Sequence, residues 1–205
     1  MALRYRQPFS STIIKIALIP VFSALSLATN YAMIDIPNVK LMDAFIFIAA
    51  FLFGLRVGMG SAILTWGVYG FINPYGQDDL TLLGFVILGE CFYAFAGVLL
   101  NRVAMVRELL NNEGPYTRLS LLFGLVGFQA TFAYDMLTNF GSWIFKTTSL
   151  YHALVIGFIT GVPFAIVHEA SNLAFFATVV PLGIATARRV GFTTQEKAHQ
   201  KHEEQ

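Results

Sequence analysis

Apolar runs of about 20 residues, the length that crosses a hydrocarbon core of about 30 Å at 1.5 Å per residue, recur along most of this chain. Of its 205 residues 56% are hydrophobic and 12% charged, against roughly 25% charged in a typical soluble domain. Lipid, not water, is therefore the main solvent. The 17 glycines and 20 phenylalanines fit helices that pack closely through small residues and turn bulky side chains to lipid. The fold expected is an all-α integral membrane protein: a bundle of six transmembrane helices, with a short extra or re-entrant helix before the last. Residues 1–190 form one transmembrane domain, and 191–205 a polar cytoplasmic tail.

The six spans are read at 13–34, 42–55, 58–72, 80–103, 119–139 and 163–187. The second and third are short and meet at Gly54-Leu-Arg-Val-Gly58, a tight hairpin whose aqueous tip is Arg56. The first run follows Arg4, Arg6 and Lys15 like a signal peptide but is too long for one, so it reads as an uncleaved first helix. Cytoplasmic loops are enriched in Lys and Arg. Eleven of the thirteen fall on one side: Arg4, Arg6, Lys15, Arg56, Arg102, Arg107, Arg118, Arg188, Arg189, Lys197 and Lys201. Only Lys40 and Lys146 fall on the other. Both termini are thus expected in the cytoplasm, in a multi-pass protein of the cell membrane.

One helix over 151–187 would run about 55 Å, more than a bilayer needs. The glycines at 157 and 161 and Pro163 therefore predict a break near 161–163, with 149–160 as a short outer or re-entrant helix. Irregular backbone at that depth survives where protein or a water cavity satisfies it, so the break in turn predicts a cavity.

Polar side chains inside spans are costly and mark candidate chemistry. Glu90 lies in the fourth span, and Tyr93 shares its helical face one turn on. In the fifth, Asp135 and Asn139 stand at i and i+4 with Thr138 between, and Trp143 follows. These read equally as a pocket wall and as a helix cap beside an interfacial tryptophan. The sixth carries His168, Glu169 and Asn172, with His168 and Asn172 one turn apart on a face suited to hydrogen bonding. The second histidine of a zinc-protease motif is missing, and neither a metal site nor a cofactor is expected. Asp43, at the start of the second span, reads as a partner of the helix dipole. The loop 73–79 is a connector or a lid.

The lone Cys91 reads as a small buried hydrophobe. A net charge of +1 without a basic stripe excludes a nucleic-acid partner. No Walker lysine motif or phosphate loop is present. In the first span Ala24 and Ala28 stand four residues apart, a stripe that lets another helix approach, within this chain or in a second subunit.

In the order of these features the chain resembles the substrate-binding S component of an energy-coupling factor (ECF) transporter. The resemblance covers roughly residues 13–190. It rests on Ala24 and Ala28, the short second span from Asp43 to the Gly54–Gly60 hairpin, Tyr134-Asp135-Met-Leu-Thr138-Asn139, and the stretch His168 to Asn172. It implies that Ala24 and Ala28 dock on a membrane-embedded coupling subunit that carries two cytoplasmic ATPases. It also implies a non-enzymatic chain that captures a small molecule and topples in the bilayer to release it. Carried over residue by residue, the substrate site would comprise Glu90, Tyr93, Asp135, Asn139, Trp143, His168 and Asn172. Ala2 stands where the nickel and cobalt branch has a histidine, so a vitamin or similar organic micronutrient is expected. Two rival readings use the same residues. One is a proton-coupled secondary carrier working through Glu90, Asp135 or Glu169, though no internal repeat supports it; the other is a small intramembrane enzyme with His168 and Glu169 as acid and base.

Overall fold

The computed structural model describes residues 12–74, 79–111 and 117–191. Seven helices and no strands occur among them: α1 Thr12–Ala32, α2 Met42–Phe53, α3 Leu55–Ile72, α4 Leu80–Arg102, α5 Ala104–Asn111, α6 Thr117–Gly141 and α7 Leu150–Arg189. Five of these, α1, α3, α4, α6 and α7, are long and apolar enough to cross a bilayer. Large apolar side chains such as Ile13, Leu88, Leu99, Leu121, Ile166 and Leu182 point outward from four of them, as expected of a surface solvated by lipid. The sequence-based boundaries hold to within a few residues, except at the start of α7. The polar tail, Arg4 and Arg6, and part of the 73–79 loop fall outside the described residues.

The shortest apolar helix is the most enclosed. Eleven of the twelve residues of α2 are buried, which fits a helix that is hydrophobic all round. Its neighbours are α1, α3, α4 and α7. Close approach depends on glycine: a Cβ on Gly97 of α4 would lie 2.5 Å from the Phe47 carbonyl oxygen, and one on Gly58 of α3 would lie 2.5 Å from the Ala50 methyl. Asn101 of α4 donates to the Phe51 carbonyl at 2.7 Å, satisfying one of the carbonyls that the end of α2 leaves open. The hairpin is tighter than the sequence suggests, because Gly54 alone joins α2 to α3 at φ 96°, a conformation that favours glycine.

The break predicted at 161–163 is absent: α7 is one helix of 40 residues with Pro163 and Pro181 inside it. The glycines there serve packing. A Cβ on Gly157 would meet the Asn139 backbone oxygen at 2.5 Å, and one on Gly161 would meet the Asn139 side chain at 2.3 Å. Gly157 and Gly161 thus form a groove in which the end of α6 sits, in the small-xxx-small manner of membrane helices. Pro163 is exposed on the opposite side and withholds only the donor that Ile159 would otherwise receive, a defect membrane helices commonly tolerate. The buried positions Ala153, Gly157 and Gly161 before Pro163, and His168 and Asn172 after it, fall on the same side of the helix. There is no separate re-entrant segment; 150–160 are the first turns of α7.

Between the fourth and fifth expected spans, where only a loop is expected, α5 forms. Val103 ends α4, and the eight residues that follow bury Val106 while exposing Arg107 and Glu108.

Candidate functional site

At the end of the bundle opposite Gly54 lies a cavity of about 460 Å³, within the roughly 300–1,000 Å³ of small-molecule sites. Its walls come from the ends of α1, α3 and α6, from the loop 33–41, and from Val86 of α4 and the middle of α7. That loop is folded back by Asn38 at φ 60°, a left-handed turn asparagine tolerates better than most residues. Ser171 of α7 donates to the Asn38 carbonyl at 3.4 Å and pins the turn.

Beneath the cavity, polar groups from four helices meet. Asp43, fully buried in the first turn of α2 where the helix dipole favours an anion, accepts from Asn172 Nδ2 at 2.6 Å and lies 2.8 Å from His168 Nε2. The other ring nitrogen, Nδ1, is 2.8 Å from Asp135 Oδ1. A neutral imidazole donates at one nitrogen only, so this line is satisfied by an imidazolium between two carboxylates or by a neutral ring with one carboxylic acid. Either arrangement holds the same extra proton. Asn172 also donates to Thr131 Oγ1 at 2.8 Å, Tyr93 donates to the same oxygen at 3.0 Å, and Thr131 donates onward to the Gly127 carbonyl at 2.8 Å. Glu90 accepts from the Trp66 indole at 2.9 Å and neighbours the Asp43 carboxyl.

Lys40 brings the balancing charge. Its ammonium is 3.9 Å from Asp43 Oδ1, donates to the Tyr134 hydroxyl at 3.4 Å, and stands over the rings of Trp66 and Tyr134 at 5.0 and 4.6 Å. Hydrogen bonds to charged groups are worth about 1.5–3 kcal/mol each. The cluster links α2, α4, α6 and α7, and removing one member would leave a buried charge without its partner.

The predicted residues sort by depth. Asp135, Asn139 and His168 line the cavity. Glu90, Tyr93 and Asn172 lie fully buried below it and hold its floor. Trp143 lies away from it, its indole donating to Thr160 Oγ1 at 3.2 Å. Glu169 is half-buried beside His168 and does not line the cavity. Ala24 and Ala28 are exposed on the outer side of α1, whose inner side buries Ser23, Ser26 and Asn30. Among the described residues no His, Cys, Asp and Glu side chains are grouped to hold a metal ion.

Asn30, Lys40, Trp66 and Tyr69 are not among the site residues expected from sequence, while Tyr134 and Asp43 enter there only through the resemblance and, for Asp43, a helix-end role. Lys40 carried a signal as one of two cations on its side of the bundle, three residues before an aspartate. Trp66 and Tyr69 resemble ordinary interfacial aromatics from sequence. Comparison with family models, with curated proteins and with solved structures returns no match to this chain.

Proposed function

We propose that this chain is the substrate-capture subunit of an ATP-driven importer of the ECF type, taking up a vitamin or similar small organic micronutrient. The observation that carries the reading is the cavity of about 460 Å³ at one end of the bundle, walled by aromatic and amide side chains over a buried ionic floor. In this reading the chain crosses the bilayer six times, α2 counting as a short crossing shielded by its neighbours. The end with Lys40 and Lys146 faces outward and the arginine-bearing end faces the cytoplasm. The outward Ala24 and Ala28 lie on a face that no described helix covers, suited to docking on a membrane-embedded coupling subunit with its two ATPases.

The test has two arms. Mass spectrometry of small molecules released from the purified chain should find a retained organic compound. Ala24→Trp and Ala28→Trp should abolish uptake, and co-purification of ATPases, while leaving retention intact. Loss of retention and uptake together would refute the docking role, and an empty cavity in freshly purified protein would refute capture.

A second reading, a proton-coupled carrier, draws support from the shared proton on the Asp43–His168–Asp135 line. Uptake by the chain alone in liposomes, driven by a pH gradient, would favour it over the first.

A further inference from the structure

A second hollow lies at the end of the bundle that carries Gly54, away from the substrate cavity. It holds about 390 Å³ between the first turns of α1 and the α2–α3 hairpin. Its walls are Thr12, Lys15, Ile16 and Ile19 of α1 and residues 53–57 of the hairpin, Arg56 among them. Residues three and four apart are neighbours on a helix surface, so the α1 wall is a single strip, polar toward the helix start and apolar deeper in. At 1.5 Å per residue, Ile19 lies about 6 Å further along than Lys15. The hollow closes at Ile19, where α1 and α3 touch: a Cβ on Gly60 would meet the Ile19 side chain at 2.6 Å.

The charge in this groove is of one sign. Lys15 and Arg56 both line it, and among the described residues neither forms an ion pair with a carboxylate. Arg56 is exposed and Lys15 half-buried, the habit of long basic side chains that lay their stems along apolar surface and keep their heads at the aqueous boundary. Ile16 is a wall of the groove and is also exposed, as is Ile13 one turn earlier, so the groove opens sideways toward lipid.

Each feature narrows the occupant. A bare phosphate would use the two cations and leave the apolar walls at Ile16, Ile19 and Phe53 uncovered. An acyl chain alone would leave the cations unmatched. A zwitterionic headgroup would bring an ammonium of its own beside two cations, with no acid in the groove to receive it. We propose that this groove binds one anionic phospholipid, its phosphate held by Lys15 and Arg56 and the start of an acyl chain lying over Ile16 and Ile19. Basic pockets between membrane helices take anionic headgroups in this way, and an arginine can meet two phosphate oxygens at once. The site shares no lining residue with the substrate cavity, so it stands independently of the capture reading.

Native mass spectrometry of the full chain in detergent, with dioleoyl phosphatidylglycerol and dioleoyl phosphatidylcholine added at equal concentration, reads the preference. One phosphatidylglycerol should be retained in preference to phosphatidylcholine. A basic residue beside anionic lipid is worth about 1 kcal/mol, or about fivefold in affinity. Lys15→Gln and Arg56→Gln should therefore each weaken phosphatidylglycerol about fivefold and the double variant about 25-fold, with phosphatidylcholine unchanged. Arg107→Gln with Arg118→Gln removes the same charge from exposed positions outside the groove and should leave the preference intact. Equal retention of the two lipids, an undiminished preference in the monodisperse double variant, or an equal loss in the control pair would overturn the proposal. Inorganic phosphate in large excess separates the two sources of a phosphate group. The bound lipid should resist it, whereas displacement would reveal a plain anion site and overturn the lipid.

Discussion

Replacing Gly161 by alanine tests the packing that makes α7 one helix. The added methyl would stand 2.3–2.4 Å from Cγ, Nδ2 and Oδ1 of Asn139, about 1 Å inside ordinary contact distance. Overpacking of this kind costs about 1–3 kcal/mol, while alanine gains about 1 kcal/mol over glycine in a helix. Gly84→Ala is the matched control, because a Cβ there meets nothing within 4 Å and so collects the gain without the clash. The propensity gain is common to both, so Gly161→Ala should be less stable than Gly84→Ala by about 1–3 kcal/mol, or roughly 2–12 °C in Tm for a chain of this size. Thermal unfolding in one detergent reads the difference. Asn139 also lines the cavity, so its displacement should weaken retention of the bound compound in Gly161→Ala and leave Gly84→Ala unchanged. Equal Tm values in Gly161→Ala would mean that the Asn139 side chain swings aside; equal values in Gly157→Ala as well, where the added methyl meets the Asn139 backbone oxygen at 2.5 Å, would refute the seating of α6 in the glycine groove.

Asp43→Asn leaves His168 and Lys40 without their shared anion, and breaking a buried pair costs about 3–5 kcal/mol; the Tm should fall by roughly 10 °C with retention lost, whereas unchanged values would remove Asp43 from the floor. Asp79→Ala deletes the N-cap of α4, whose carboxylate accepts from the Leu82 amide at 2.8 Å, at about 0.5–2 kcal/mol. That same bond, aided by Lys146 at 3.5 Å, holds the Asp79 carboxyl below its ordinary value of 3.8. Its stabilisation is therefore complete above that pH and disappears as pH falls through the lower folded value, and Asp79→Ala should flatten this part of an acid unfolding curve.

Hydropathy carried most of the architecture, because a helix that meets lipid must be apolar over a set length, as α1, α3, α4 and α6 are. The reading failed where one residue type serves two ends. Gly157, Gly161 and Pro163 signal a break in isolation, yet Gly157 and Gly161 are small because Asn139 packs against them, and Pro163 sits on the exposed side of a continuous helix. A glycine that seats a neighbouring helix and one that ends a helix look alike in sequence. For the site, polarity inside a span picked out Glu90, Asp135, His168 and Asn172, which the fold does bring to one cluster. Lys40 and Asn30 escaped because they lie at span ends, where polar residues are ordinary. Only the return of the loop at Asn38 carries Lys40 inward.

That loop, with α1, bears on how capture and release would be joined. The floor of the cavity belongs to helices that hold one another through buried charge, and α6 and α7 pack along their glycine seam. The wall formed by α1 is different in kind. Its inner side meets α2 and α3 through weaker links, Ser23 to the Ser61 carbonyl at 3.2 Å and Tyr31 to the Ile72 carbonyl at 2.9 Å. The same helix carries Asn30 and, through the following loop, Lys40 into the cavity, and presents Ala24 and Ala28 outward. A subunit that docks on that face and favours a displaced α1 would loosen the cavity wall without disturbing the floor. By reciprocity, a substrate of the proposed capture subunit that contacts the α1 wall would hold α1 in place and weaken docking by the same factor. In that reading capture and coupling would compete for one helix.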